Sequence, residues 1–199
     1  MSGQNEAVMQ KLRGALDSPP AARKLLFTMR AQSVTRMDLA VARILLSERR
    51  ERGIYVTIDR PDKNVIMILQ KHNVAGPDDV SSDLEPKEKR LFIARGILSP
   101  AVFIAELLSR TSKPHTGPAL HAELTRMRFL MLDNLSSLAV YNGPKGIEAC
   151  FDYVAMMLMR YSSMRFVAVA ARDSLDALGP DARGFFNLEI DIPDGWLMD

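Results

Sequence analysis

The sequence predicts an α/β protein, a three-layer α/β/α fold around a mainly parallel central sheet. Three observations carry this. Short, nearly continuous apolar runs alternate with longer segments whose apolar residues recur at helical spacing. The strand-like runs are apolar throughout, as in sheets covered by helices on both faces. Polar residues follow the ends of these runs, where ligands of such sheets bind.

The elements follow in order. Residues 1–23 are assigned to an N-terminal helix and linker, and residues 24–199 to one α/β domain. In the leading segment, about Asn5 to Leu16, the stripe Val8, Met9, Leu12 and Leu16 predicts an amphipathic helix over the protein's own sheet. Lys24 to Met29 is short and apolar and reads as a buried strand. Residues 36–52 form a helix with Met37, Ala40, Val41, Ile44 and Leu45 on one face, and Gly53 stands at the expected C-cap. Arg49, Arg50 and Arg52 read as its solvated end. Ile54 to Ile58 is β-branched and aromatic, a second strand.

Pro61 suits the first turn of a helix over about residues 61–72. Residues 75–88 have loop composition. Leu91 to Ala94 is a short strand. Ser99 and Pro100 open a helix to about Arg110, as N-cap and first helical residue. Lys113 to Pro118 is a loop and residues 119–127 a helix. Arg128 to Asp133 is a strand ending in a carboxylate. Gly143 and Pro144 open a long helix to about Ser163. Met164 to Ala171 is a buried strand, and Leu188 to Ile192 an edge strand that Pro193 ends.

Composition excludes several classes. The chain has 199 residues, 47% hydrophobic and 25% charged, which is ordinary globular usage. A net charge of +2 argues against binding nucleic acid through bulk charge. Cys150 is the single cysteine, so there is no internal disulfide framework, and at helical spacing with Tyr153 and Val154 it reads as a buried thiol. The residues after Met1 have neither a basic nor an apolar region, and no uncharged stretch approaches membrane-spanning length. The expectation is a soluble cytoplasmic protein without membrane insertion. His72, His115 and His121 are scattered and predict no metal site. Met156, Met157, Met159 and Met164 read as adaptable core.

The order of elements resembles the RecA-like ATPases of the KaiC type. The resemblance runs from about Lys24 to Ile192. Gly53 to Pro61 looks like their second strand and its acidic end. Arg128 to Leu138 is similar to their Walker B strand, with Asp133 as its carboxylate. Phe166 to Asp173 and Phe185 to Ile190 resemble the strands that follow. The resemblance implies a RecA-like central sheet and a crevice at the strand ends formed by Asp59, Arg60, Asn134 and Arg172.

The departure lies at the phosphate loop. The family's G-x-x-x-x-G-K-[ST] run wraps phosphates with its glycines and holds magnesium through its hydroxyl. The aligned residues here are Arg30, Ala31, Gln32, Ser33, Val34, Thr35, Arg36 and Met37. Both loop glycines are missing, and no glycine lies between Gly14 and Gly53. Arg36 stands at the lysine position and Met37 at the hydroxyl position. A thioether is a poor magnesium ligand. Asp38 follows, and a carboxylate in the first turn of the helix would repel an incoming phosphate. The family's second acidic position after its second strand holds Arg60, beside Asp59.

These departures predict a non-hydrolysing domain with no catalytic residue and no bound cofactor, acting as a regulatory or protein-interaction module. Signal transduction and self-association are what the resemblance implies. The alternative is an atypical nucleotide hydrolase that binds ATP and magnesium through Arg36 and Asp133. Against a ligand role, Asp133 can also cap the following turn with Asn134 and Ser136. A single-stranded nucleic-acid module is disfavoured by the charge balance, although arginine outnumbers lysine 18 to 8. The segment after Ala139 offers one basic and one aromatic residue. The terminal segment from Pro193 carries the only tryptophan, Trp196, which needs an apolar home on this domain or on a partner.

Overall fold

The computed structural model describes residues 3–18, 23–76, 79–81, 89–94, 100–175, 178–194 and 196. The strands are β1 (Lys24–Met29), β2 (Gly53–Thr57), β3 (Val80–Ser81), β4 (Leu91–Ala94), β5 (Phe129–Asp133), β6 (Arg165–Ala171) and β7 (Leu188–Asp191). The helices are α1 (Gly3–Leu16), α2 (Val34–Ala42), α3 (Asp62–Lys71), α4 (Pro100–Arg110), α5 (Gly117–Arg126), α6 (Leu135–Arg160) and α7 (Gly179–Gly184). Among the described residues, one sheet runs in the order β3-β4-β2-β5-β6-β1-β7, every pair parallel. The expected three-layer α/β/α fold is therefore the observed one.

Alternation along the strands divides the core in two. Leu25, Phe27, Tyr55, Met131, Val167 and Val169 face a layer built from α1, α2 and α3. Leu26, Ile54, Val56, Leu130, Leu132 and Phe166 face α4, α5, α6 and α7. Both faces of each central strand are thus removed from water, which is why their residues are apolar without a period of two. The α1 stripe packs into the first of these cores, over the protein's own sheet. Trp196 joins the same core and is 2% exposed.

Three local differences from the sequence reading have physical reasons. First, α2 does not continue regularly. From Arg43 to Glu48 it widens to a π-helix, with the Arg49 amide donating to the Ile44 carbonyl at 3.0 Å. The wider turn buries Ile44, Leu45 and Leu46, continuing the buried run Met37–Ala42 of the regular part. Second, Gly53 is no C-cap. Arg50 takes the left-handed conformation (φ 55°) after the helix, and Gly53 begins β2. A Cβ on Gly53 would overlap the Phe129 ring on the neighbouring strand. Third, the helix expected from Gly143 onwards is preceded by another, from Leu135 to Asn142. The two are joined at Gly143, whose φ of 62° and ψ of −179° suit glycine alone.

Smaller corrections concern side chains. Arg49 is not solvated. Its guanidinium donates to the carbonyls of Leu16 and Arg13 and to Asp17, tying α1 to the end of α2. Arg52 pairs with Glu123 at 2.8 Å. Met157 and Met164 are core, but Met156 and Met159 are exposed. Cys150 is buried, and burial pushes its thiol up to about 12, so it is inert as a nucleophile. The expected Ser99 cap and residues 77–78 and 82–88 of the expected loop lie outside the described residues. No helix among the described residues is long and apolar enough to cross a membrane.

Candidate functional site

The carboxyl ends of β1, β2, β5 and β6 deliver most of the residues singled out above. Residues 30–37 make no open loop. Arg30 is extended, Ala31–Ser33 form one 3-10 turn, and α2 starts at Val34. Val34 and Met37 are buried beneath the turn. The segment that would have to wrap a phosphate is wound into helix instead, with the Ser33 amide donating to the Arg30 carbonyl at 2.9 Å and the Val34 amide to the Ala31 carbonyl. Ala31, Gln32 and Arg36 face solvent.

Beneath this turn lies a buried polar cluster. Asp133 ends β5 and is 0% exposed. Its Oδ2 accepts a hydrogen bond from the Tyr55 hydroxyl at 2.7 Å. Arg60 reaches in from the turn after β2, with Nη1 3.5 Å from Asp133 Oδ2 and 3.9 Å from Asp38 Oδ2. Its Nη2 donates to Thr35 Oγ1 at 2.7 Å. The Arg60 turn is itself pinned, because its amide donates to Thr57 Oγ1 while its carbonyl accepts from the same hydroxyl. Asp38 sits one turn further into α2 than the helix start and is 2% exposed, so it looks into the cluster rather than onto the helix terminus.

The electrostatics follow from burial. Burial, then the neighbouring Asp133 charge, holds the Asp38 carboxyl well above the usual carboxylate range. Both Asp38 oxygens and Asp133 Oδ1 have no hydrogen-bond donor. Burial beside Asp133 thus favours the protonated form of Asp38. Burial and the charge of Asp133 also raise the Tyr55 phenol, keeping it a donor. Burial alone would lower the Arg60 guanidinium, but Asp133 and Asp38 outweigh it and raise it. The cluster thus sets one guanidinium and one phenol donor against two buried carboxyl groups. The space left beside it, between Thr35, Asp38, Tyr55 and Arg60 and the apolar residues of α3, is about 10 Å³. That is about the room one water needs.

Next to the cluster, Asn134 rather than Asp133 caps α6. Asn134 Oδ1 accepts from the Ser137 amide at 2.8 Å. The Ser137 hydroxyl donates to Asp59 Oδ2 at 2.8 Å, and Ser136 Oγ accepts from the Ala171 amide at 2.9 Å. Arg172 is not part of this cluster. It donates to Asp191 through Nε at 2.9 Å and Nη2 at 2.7 Å, and its Nη1 is 3.4 Å from Asp194. Arg30 lies 2.6 Å from the other oxygen of Asp194. These two arginines tie Asp191 and Asp194 to the residues that follow β1 and β6, and Trp196 is buried in the core.

Tyr55 is the residue the sequence reading missed. Its signal was a hydroxyl amid apolar neighbours in a strand buried on both faces, where a phenol must find a partner. Among the described residues no group of three or more His, Cys, Asp or Glu could hold a metal ion. A scan against protein-family models finds no match for the chain, and a search of curated proteins finds none.

Proposed function

We propose that this chain is a non-hydrolysing domain of the RecA/KaiC-like kind, a pseudo-ATPase that works as a regulatory or protein-interaction module. The observation that carries this reading is Arg60. Its guanidinium lies against the carboxylate at the Walker B-like position and against Asp38, where the resemblance would place a metal and its phosphates. The residues fit a magnesium–nucleotide poorly. Tyr55 and Arg60 already occupy Asp133 Oδ2, and the 30–37 segment is helical turn rather than cradle. Arg36, the alternative phosphate hook, faces solvent.

The test is a thermal melt with and without magnesium and ATP at millimolar concentration. A ligand that binds only the folded state stabilises it by mass action, by about 2.7 kcal/mol at a hundred times its Kd, and so raises the midpoint. The expected result is no shift. A clear rise, lost in Asp133→Asn, would overturn the reading and favour a nucleotide hydrolase working through Arg36 and Asp133.

A further inference from the structure

At the amino ends of β1 and β6, the opposite end of the sheet from the polar cluster, a pocket of about 130 Å³ lies between the end of α1 and the turn from α6 into β6. One water needs about 10–15 Å³, so the pocket has room for a ligand of several heavy atoms. Arg23 and Arg165 line it, with Ser18, Ser162 and Ser163. No carboxylate lines it among the described residues, and residues 19–22, Pro-Pro-Ala-Ala between Ser18 and Arg23, supply none.

The fold uses only part of each guanidinium. Arg23 Nη1 donates to the carbonyls of Leu158 and Ser162 at 2.9 and 3.0 Å, covering the end of α6. Its Nε and Nη2 have no partner among the described residues. Arg165 gives Nη1 to the Leu16 carbonyl at the end of α1 and Nη2 to Glu51 at 3.2 Å, which leaves its Nε. The Ser18 and Ser162 hydroxyls are also without a partner among the described residues.

The local charge sets the sign of a ligand. Glu51 is shared between Arg165 and Arg49, and Asp17, largely exposed, binds Arg49 at 2.6 Å. Burial, with the like charges of Arg49 and Arg128, outweighs both acids and lowers the Arg165 guanidinium from its ordinary value. With Arg23 lining the same pocket, four cations face two carboxylates. The carbonyls of the two helix ends are already covered by the Nη1 atoms. An anion balances what remains, and guanidinium forks beside serine hydroxyls are donors suited to a tetrahedral oxyanion.

We propose that this pocket binds a phosphate group, with Arg23 and Arg165 as its guanidinium contacts and Ser18 and Ser162 as its hydroxyl contacts. The site is separate from the strand-end crevice and needs neither Asp133 nor a metal.

Thermal melts of the full chain in inorganic phosphate, against sodium chloride of the same ionic strength, test it. Matched chloride removes the effect of screening, so a further rise is mass action on the folded state. Phosphate is expected to raise the midpoint saturably, and calorimetric titration gives its Kd. The rise is expected to persist in Asp133→Asn, which separates this pocket from the crevice. Arg23→Gln is expected to weaken phosphate at least about tenfold. Ser162→Asp, at an exposed position, places a carboxylate among the same cations. It is expected to raise the midpoint in chloride and to abolish the phosphate effect, so the test stands even where Arg23→Gln does not fold. Ribose 5-phosphate separates the two sources of the group. Tighter binding than phosphate, lost in Ser162→Asp, makes a phosphate ester the ligand, and binding of inorganic phosphate alone makes it the free ion. No rise in phosphate beyond chloride, or an equal rise in wild type and Ser162→Asp, would overturn the site.

Discussion

The Tyr55 hydroxyl reaches Asp133 Oδ2 at 2.7 Å from the neighbouring strand, with both side chains out of water. The bond exists because the β2–β5 register pairs Thr57 with Asp133, leaving Tyr55 two positions back on the same face. Tyr55→Phe keeps the ring and deletes the donor. Asp133 then keeps Arg60 but has one partner fewer. Hydrogen bonds to a charged group contribute about 1.5–3 kcal/mol, so a loss of about 2 kcal/mol is expected in urea denaturation. A change below about 0.5 kcal/mol would mean that the hydroxyl does not stabilise the buried carboxylate.

Asp38 predicts a pH dependence of definite sign. Its carboxyl is held protonated in the folded state well above its ordinary value, first by burial and then by Asp133. Between the ordinary carboxylate range and that raised value, the folded state binds the proton and the unfolded state does not. Stability from this group is therefore full at acid pH and falls as pH rises through the window. Glu48, Asp79 and Asp191 are lowered and act in the opposite sense, losing their contribution as pH falls. Comparison with Asp38→Asn isolates the one group. The variant is expected to match wild type near pH 4 and exceed it at pH 8, measured by denaturant midpoints at several pH values. A wild-type advantage that grows with pH would contradict a protonated Asp38.

Arg60→Met retains the reach of the side chain and removes its charge. Asp133 would then be a buried carboxylate without a cation. Breaking a buried pair by removing one partner costs about 3–5 kcal/mol, reduced here because Arg60 retains some exposure. The double variant Arg60→Met with Asp133→Asn should recover part of that loss. A double-mutant cycle with a coupling near zero would show that the two groups do not act as a unit.

What could be read in advance follows the range of the interactions. Strands such as Lys24–Met29 and Phe129–Asp133 were visible because burial on both faces writes itself into consecutive residues. Asp133, Asp59 and Arg60 were found because they end such runs. The partners were not visible. Arg60 meeting Thr35, or Arg30 meeting Asp194, joins residues far apart in the chain, and no local pattern encodes either contact. The helix from Leu135 to Asn142 was missed because its only buried apolar residues are Leu135 and Leu138. The π-helical end of α2 was missed because Ile44 and Leu45 continue the apolar stripe of a regular helix, and the one-residue offset of the Arg49–Ile44 hydrogen bond leaves no mark on that spacing.

Gly53 gives the last prediction, and it separates packing from turn chemistry. Read as a helix cap, Gly53 would be needed for its backbone, and enlarging it would strain φ. In the structure it is a strand residue without positive φ, needed because the Phe129 ring lies where its Cβ would be. Gly53→Ala should therefore cost about 1–3 kcal/mol through overpacking. The remedy must lie across the strand rather than in the backbone. Phe129→Leu removes the clashing ring edge, so Gly53→Ala should cost less in that background than in wild type, as read from denaturant midpoints of the four proteins. Equal costs in both backgrounds would return Gly53 to a backbone role, because a cap has no reason to sense the side chain at position 129.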